Sequence, residues 1–400
     1  MEKPRVYFGS IQHGRDAIFA SLGMKFSKIL DLLDLTTIKK GDKVAIKMHL
    51  GFNEGYQTIP VFFIRRLVKA VKKVGGVPFI TDNPTAVYNA VERGYTQETC
   101  GCPLVPVAGI KDGYKVPVEI NYGNVDTLDM GGVLNDADVL INAAHAKGHG
   151  NCGYGGVIKN LALGGYVATS RWHKIHSVED STPWWDAEKC SPEHAQVLVE
   201  SCPYGAFTYN KEKHKLSMMR FKCHNTNCLE CLKADESVGS LKIALENFAA
   251  FQELMVINSG KILDTFDKDK QFFLNFGLEI TAHCDCMGFI QPVIVNDVGI
   301  FGSRDIIALE NATLDFIKKE GIIEQNIPPY FKHLNLDPAV DLHPFERIWG
   351  QMKNPYQVVT FGEKHGLGNK DYELVEVLSP TEAANEDPSK YKFEGQMSFY

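Results

Sequence analysis

The chain contains no apolar run approaching the roughly 18 residues that a bilayer-spanning helix needs. Its first residues, Met1-Glu2-Lys3-Pro4-Arg5, lack the apolar stretch of a secretory signal. Both absences point to a cytoplasmic protein without a membrane span. An excess of positive charge is missing too. The formal net charge is −7, whereas a broad nucleic-acid surface wants a basic face. Neither the P-loop nor the dinucleotide-binding glycine spacing occurs, and no internal repeat or low-complexity tract is visible.

What remains is ordinary in bulk. The chain has 400 residues, 44% hydrophobic and 23% charged, which suits a globular protein of two or more domains with a well-buried core. The unusual feature is ten cysteines. In a reducing compartment these act as ligands or buried apolar groups more readily than as disulfides. Four of them form a pattern: Cys202-Pro203, then Cys223-x4-Cys228-x2-Cys231. Ferredoxin-type clusters take three thiolates from one tight loop and a fourth from a remote Cys-Pro step. The spacing therefore predicts one 4Fe–4S cluster, with a zinc site or unliganded thiols as the alternatives. The ferredoxin-like segment is not expected to hold a second cluster, because Asp235 stands four residues after Cys231 and the region before Cys202 lacks a first loop.

The flanking segments read as α/β. Lys43–His49, Val77–Thr81, Asp138–Asn142, Met255–Asn258 and Pro292–Val295 look like buried strands. A helix opened by Pro60 runs through Phe63, Leu67, Val68 and Val71 to Gly75-Gly76. Ser240–Leu254 forms another, and Ser303 caps a third carrying Ile307, Leu309, Leu314 and Phe316. The expected fold class is α/β, a mostly parallel sheet with helices on both faces, interrupted by a small ferredoxin-like iron–sulfur module. Residues 1–180 and 238–400 would form the discontinuous body and 181–237 the insertion. Trp184 and Trp185 are expected in the core of that insertion. The tail from Ser379 to Tyr400 is polar and suited to contacts.

Several strands end in polar residues: Lys47 and His49, Thr81-Asp82-Asn83, then Asn142 and His145, with Asn258 and Asn296-Asp297 in the second half. Open parallel sheets bind ligands at the carboxyl ends of their strands, so a shared cleft is predicted there. Asp82 and Asp297 would orient a base or bind a cation. The stretch from His145 to Asn160 carries Lys147, His149 and Lys159 among a run of glycines that includes Gly155 and Gly156. Such a loop turns sharply or approaches something closely, and its histidines and lysines offer acid–base groups and anion contacts. A third candidate is His283-Cys284-Asp285-Cys286. Alternation on an extended segment would put both thiols on one face, to ligate a second metal with Cys152 or a histidine, to react as a thiol pair, or to pack as small buried groups. Cys100-Gly101-Cys102 reads as structural.

These residues carry a resemblance. The chain resembles the iron–sulfur proteins grouped as domain of unknown function 362. The likeness rests on Lys47-Met-His49-Leu-Gly51, Thr81-Asp82-Asn83, His145-Ala-Lys-Gly-His149, Gly155-Gly156-Val-Ile-Lys159-Asn160, Cys284-Asp-Cys286 and Asn296-Asp297-Val-Gly299-Ile300. It spans roughly residues 1–375 and implies a redox protein of the anaerobic type with a 4Fe–4S centre. The loop His149-x2-Cys152-Gly153-Tyr154-x-Gly156-x2-Lys159 is also similar to the active-site loop of the lactate racemase family. That likeness implies His149 as an acid–base group and Lys159 as an anchor, which in that family holds a nickel pincer nucleotide.

The resulting expectation is an iron–sulfur oxidoreductase. His145, His149, Lys147 and Lys159 would do the chemistry on an anionic small substrate. Gly155, Gly156, Asn160, Lys47, His49 and Asp82 would bind cofactor or substrate. Cys202, Cys223, Cys228 and Cys231 would hold the cluster, and Cys284 and Cys286 a second metal or cluster. An electron-donor protein is implied as partner, and homo-oligomerisation is left open. The alternatives are a racemase or lyase that keeps the cluster for structure, and an electron carrier or maturation partner without a small-molecule cleft.

Overall fold

A computed structural model describes residues 3–13, 20–178, 184–219, 222–223 and 228–380. Its centre is an eight-stranded sheet. The strands are β1 (Arg5–Ser10), β2 (Lys43–Lys47), β3 (Val77–Asp82), β4 (Leu104–Pro106), β5 (Val139–His145), β6 (Gln271–Gly277), β7 (Gly299–Ser303) and β8 (Glu373–Glu376). Their spatial order is β8-β1-β7-β6-β5-β2-β3-β4. Only β7 runs against its neighbours; the other pairings are parallel.

The strands are apolar on both sides because both faces are covered. In β2, Ala45 packs into one core, while Val44 and Ile46 face the other. In β6, Phe273 and Phe272 divide in the same way. Helices α1 (Leu22–Leu32) and α2 (Val61–Lys73) cover one face. Helices α3 (Val157–Gly164), α4 (Asn247–Leu263) and α5 (Ile306–Glu320) cover the other. The α2 helix buries Phe63, Ile64, Leu67, Val68 and Val71 on one stripe, as its periodicity predicts.

Several readings of the sequence change, and the helix expected over Ser240–Leu254 begins only at Asn247, after the short strand Leu241–Lys242. Met255–Asn258 is not a strand but the middle of α4. That helix is buried around much of its circumference, so its short apolar run carries no periodicity that would separate helix from strand. Val293–Val295 is a strand, but it pairs antiparallel with Ile280–Thr281 outside the central sheet. The cap of α5 is Asp305, whose Oδ1 accepts from the amides of Ile307 and Ala308; Ser303 is the last residue of β7.

Between the two parts of the sheet lies a segment with its own small core, built from Cys190, Ala195, Leu198, Phe207, Leu216, Cys231 and Leu241. Its elements are Trp184–Trp185, helix Pro192–Ser201, strands Phe207–Asn210 and Lys215–Met218, helix Glu230–Asp235 and Leu241–Lys242. The two inner strands form an antiparallel hairpin, and the two outermost pair with each other. Trp185 packs against this core. Trp184, expected inside, is 57% exposed, because a two-residue edge strand buries only one of its faces. Residues 381–400 of the polar tail lie outside the described residues.

Candidate active site and metal centre

The site forms where β2, β3 and β5 run out, at the carboxyl ends expected for a parallel sheet. Lys47 ends β2 with a fully buried side chain. Its Nζ donates to Asp82 Oδ1 at 3.1 Å and Asn160 Oδ1 at 2.9 Å. Asp82, the last residue of β3, also faces His49 Nδ1 at 3.0 Å and accepts the Leu50 amide at 3.0 Å. Burial by itself would raise the Asp82 carboxyl, but Lys47, His49 and that amide outweigh it and hold the group well below the usual carboxylate range. Asn160 closes the arrangement from α3, donating to Lys47 O, Asn142 Oδ1 and Ala143 O.

A second aspartate does the same one strand away. Asp285 lies 3.0 Å from His145 Nδ1 and accepts from Lys147 Nζ at 2.8 Å. Burial opposes ionisation here too, yet Lys147 and His145 keep this carboxyl low. Lys147–His149 pairs with Gly153–Gly155 in a two-stranded ribbon, and a glycine is required at 148. A Cβ there would run into the carbonyl of Ala282, so the ribbon packs directly on the backbone that leads into Cys284.

Cys284 caps a 3-10 turn, Asp285–Met287, that contains Cys286, not the extended segment predicted. Their thiols still converge, because the turn is anchored through Asp285. The ligand atoms of His49, Cys284 and Cys286 lie within 4.8 Å of one another, and these residues could hold a metal ion. Lys159 Nζ reaches Cys284 Sγ at 3.1 Å, and the Cys286 amide donates to the same sulfur at 3.4 Å. Burial would push the Cys284 thiol up; the bond from the Cys286 side chain and the charges of Lys159 and Lys147 reverse this and hold it well below its ordinary value. Cys286 is held above its ordinary value, by its bond with Cys284 and by burial. His149 Nε2 stands 3.9 Å from Cys286 Sγ, while its Nδ1 accepts the Asn151 amide at 3.1 Å.

These groups line a cavity of about 930 Å³. Lys47, His49, Lys159, Cys284 and Cys286 are among its lining residues, and Arg171, His176 and Lys353 add basic groups. Tyr204, Lys222 and Cys223 of the inserted segment also line it.

The domain of unknown function DUF362 matches residues 44–315, a span that includes every element just described from β2 to the Cys-x-Cys turn. The chain belongs to the DUF362 family. No curated protein matches this DUF362 protein. Among solved structures it is similar to the lactate racemase apoprotein from Thermoanaerobacterium thermosaccharolyticum, at 12% identity and a TM-score of 0.33. The alignment covers 74% of this chain and 56% of that one, so the DUF362 protein spans little more than half the length of that structure.

The fold of the DUF362 protein brings together Lys47, His49, Asp82, His149, Lys159, Asn160, Cys284 and Cys286 of the residues singled out by sequence. His145, Lys147, Gly155 and Gly156 stand behind the cavity wall. His145 and Lys147 are buried against Asp285, and a Cβ at Gly156 would meet Glu310 and Tyr154 in the interior. Cys152 is core, donating to Tyr154 O at 3.0 Å, as are Cys100 and Cys102. Asp297 accepts the Glu279 amide at 2.6 Å, and Asn258 is buried within α4. Sequence reasoning gave no role to Asp285, Arg171 and Tyr204. Asp285 was detectable from its place between two cysteines, and Tyr204 from the Cys-Pro step it follows. Nothing local to Arg171 marks it.

In the inserted segment Cys231 is buried, and Cys202, Cys223 and Cys228 are partly so. Cys202 Sγ accepts the Ala206 amide at 3.3 Å. Burial, then the neighbouring charges of Cys231, Cys202 and Cys228, pushes the Cys223 thiol up to about 12. Asp235 takes His194 Nε2 at 2.9 Å, Ser240 Oγ at 2.7 Å and the Leu241 amide at 2.5 Å.

Proposed function

We propose that this DUF362 protein is an iron–sulfur oxidoreductase of a reducing compartment. Cys202, Cys223, Cys228 and Cys231 would hold a 4Fe–4S cluster in a ferredoxin-like insertion at 181–237, between body segments 1–180 and 238–400. The observation that carries this reading is that Cys223 and Tyr204 share one cavity wall system with Lys159, Cys284 and His49.

Supporting it, the described elements of the segment follow the order strand, helix, strand, strand, helix, strand, the βαββαβ arrangement of ferredoxin-like units. The four thiols lie near enough to act on one another electrostatically, and the amide bonded to Cys202 suits a thiolate ligand. Asp235 occupies the place where a second Cys ligand would stand and spends its carboxylate on His194, Ser240 and Leu241, which agrees with one cluster. When bound, such a cluster supplies electrons one at a time.

The remaining chemistry belongs to the chain's own residues. Lys159 and Arg171 give the cavity positive charge, within a protein whose net charge is −7. They would neutralise a carboxylate or phosphate. His149, whose Nδ1 already accepts a backbone N–H, presents Nε2 as the proton-bearing atom. His145 and Lys147 act one step removed, fixing Asp285 and through it the Cys-x-Cys turn. A cavity of this size fits an enzyme with a small-molecule substrate better than an electron carrier that meets partners through a closed surface.

The test is anaerobic purification with iron and acid-labile sulfide analysis and electron paramagnetic resonance of the reduced protein. A reducible 4Fe–4S signal lost in Cys223→Ser is the expected result. Zinc without sulfide would overturn the reading, and turnover of an anionic substrate without an electron donor would replace it with a racemase or lyase.

A further inference from the structure

We propose that His49, Cys284 and Cys286 form a mononuclear metal site with three protein ligands and an open position facing the cavity, taking a borderline transition-metal cation such as zinc. The donor set is the first argument. Two sulfurs and an imidazole nitrogen lie within 4.8 Å of one another, and that mixture selects zinc and its neighbours over magnesium or calcium. Tetrahedral geometry at Zn–S of about 2.3 Å and Zn–N of about 2.0 Å sets ligand atoms roughly 3.5 Å apart. A closure of about an ångström completes the site.

The second argument is independent. His49 Nε2 is buried with no oxygen or nitrogen partner and faces the Cys284 sulfur, a weak acceptor for a buried ring nitrogen. Its other ring nitrogen is taken by Asp82 at 3.0 Å. Metal-bound histidines almost always pair their second nitrogen with a carboxylate or carbonyl, which orients the ring. Asp82 is in turn fixed by Lys47 and the Leu50 amide. The sulfur side is supported likewise: Cys284 accepts from Lys159 and from the Cys286 amide, and Asp285 pins the turn between them. His149 is not a fourth ligand, since the Asn151 N–H on its Nδ1 leaves Nε2 carrying hydrogen toward Cys286.

All three ligands line the cavity, and three protein ligands with a free fourth position are the pattern of catalytic zinc, whereas structural sites are closed by four. A substrate oxygen or water would take the open position and be polarised there, beside Lys159 and Arg171. The site stands whether or not the quartet near Cys231 binds a cluster.

The experiment uses the full-length protein, purified anaerobically, treated with chelator and titrated with zinc. Zinc is counted by elemental analysis, and its environment is read at the zinc X-ray absorption edge, where iron does not contribute. The expected result is one zinc per chain bound by two sulfurs and lighter atoms, lost in the Cys284→Ser/Cys286→Ser double variant and weakened at least tenfold in His49→Gln. Zinc surrounded only by sulfur, a zinc count that the folded double variant leaves unchanged, or no binding by the natively folded protein would each overturn the proposal. Should the double variant not fold, the edge spectrum of the unaltered protein decides. Absence of iron and sulfide together with a filled site would sink the cluster reading alone.

Discussion

The Nζ of Lys159 lies 3.1 Å from the Sγ of Cys284, two residues 125 positions apart in the chain. Lys159 rides on the first turn of α3, and Cys284 stands just beyond the outflow of β6. Their contact places a cation on the thiol that the fold most favours as thiolate. In metal-free protein, Lys159→Met should slow alkylation of Cys284 near neutral pH by about tenfold or more, because a charged hydrogen bond of roughly 1.5–3 kcal/mol is lost. Mass-spectrometric time courses with iodoacetamide measure this; an unchanged rate would mean that Lys159 does not set the thiol's state.

Gly153 has a positive φ of 75°, and a Cβ there would run into the carbonyl of Lys353. Gly205 has φ of 58° with open space around it. Gly153→Ala should therefore cost about 1–3 kcal/mol or more, lowering the melting temperature by several degrees. Gly205→Ala should cost only the dihedral strain, about 1 kcal/mol. Thermal melts of the two variants compared side by side check the ranking.

His343 is fully buried, with Nδ1 accepting the Phe345 amide and Nε2 donating to Leu314 O. Burial pulls its pKa from 6.5 down to about 3. A folded pKa below the unfolded one gives stability that is present above about pH 6.5 and drains away as the pH falls toward 3. The slope should reach about 1.4 kcal/mol per pH unit within that window. Urea midpoints at pH 7 and pH 5 should differ accordingly, and His343→Gln should flatten the difference.

Asp235 serves three donors inside the inserted segment. Asp235→Ala leaves the Leu241 amide and Ser240 without their acceptor and should cost that segment about 2–4 kcal/mol. Limited proteolysis should then cut within residues 184–242 while the sheet domain stays intact; equal protection in both forms would show that the segment is held by its apolar core alone.

How far the sequence could be read follows from what each signal depends on. The edges of α2 were visible because its apolar residues recur at a helical period, and β2, β3 and β5 because each short apolar run ends in polar residues. The strands β1, β6 and β7 were not read, since a run buried on both faces has no alternation to betray it. The same lack of period turned the centre of α4 into an expected strand. Among site residues, the polar ends of β2 and β3 pointed to the cavity. His145 and Lys147, equally prominent on the page, turned out to be struts for Asp285, because only packing decides whether a polar residue faces solvent or a buried carboxylate.

Local chemistry in the chain determined the thiol spacing around Cys202 and Cys231, the strand ends that carry Lys47, His49 and Asp82, and the glycines that let the Lys147–Gly155 ribbon fold tightly. Which thiols meet which imidazole was decided only in three dimensions. His49 Nε2 reaches Cys284 and Cys286 because β2 and β6 flank β5 in the sheet and their carboxyl ends open on one cavity. Strand order is fixed by long-range burial of apolar surface, which no short stretch of sequence encodes.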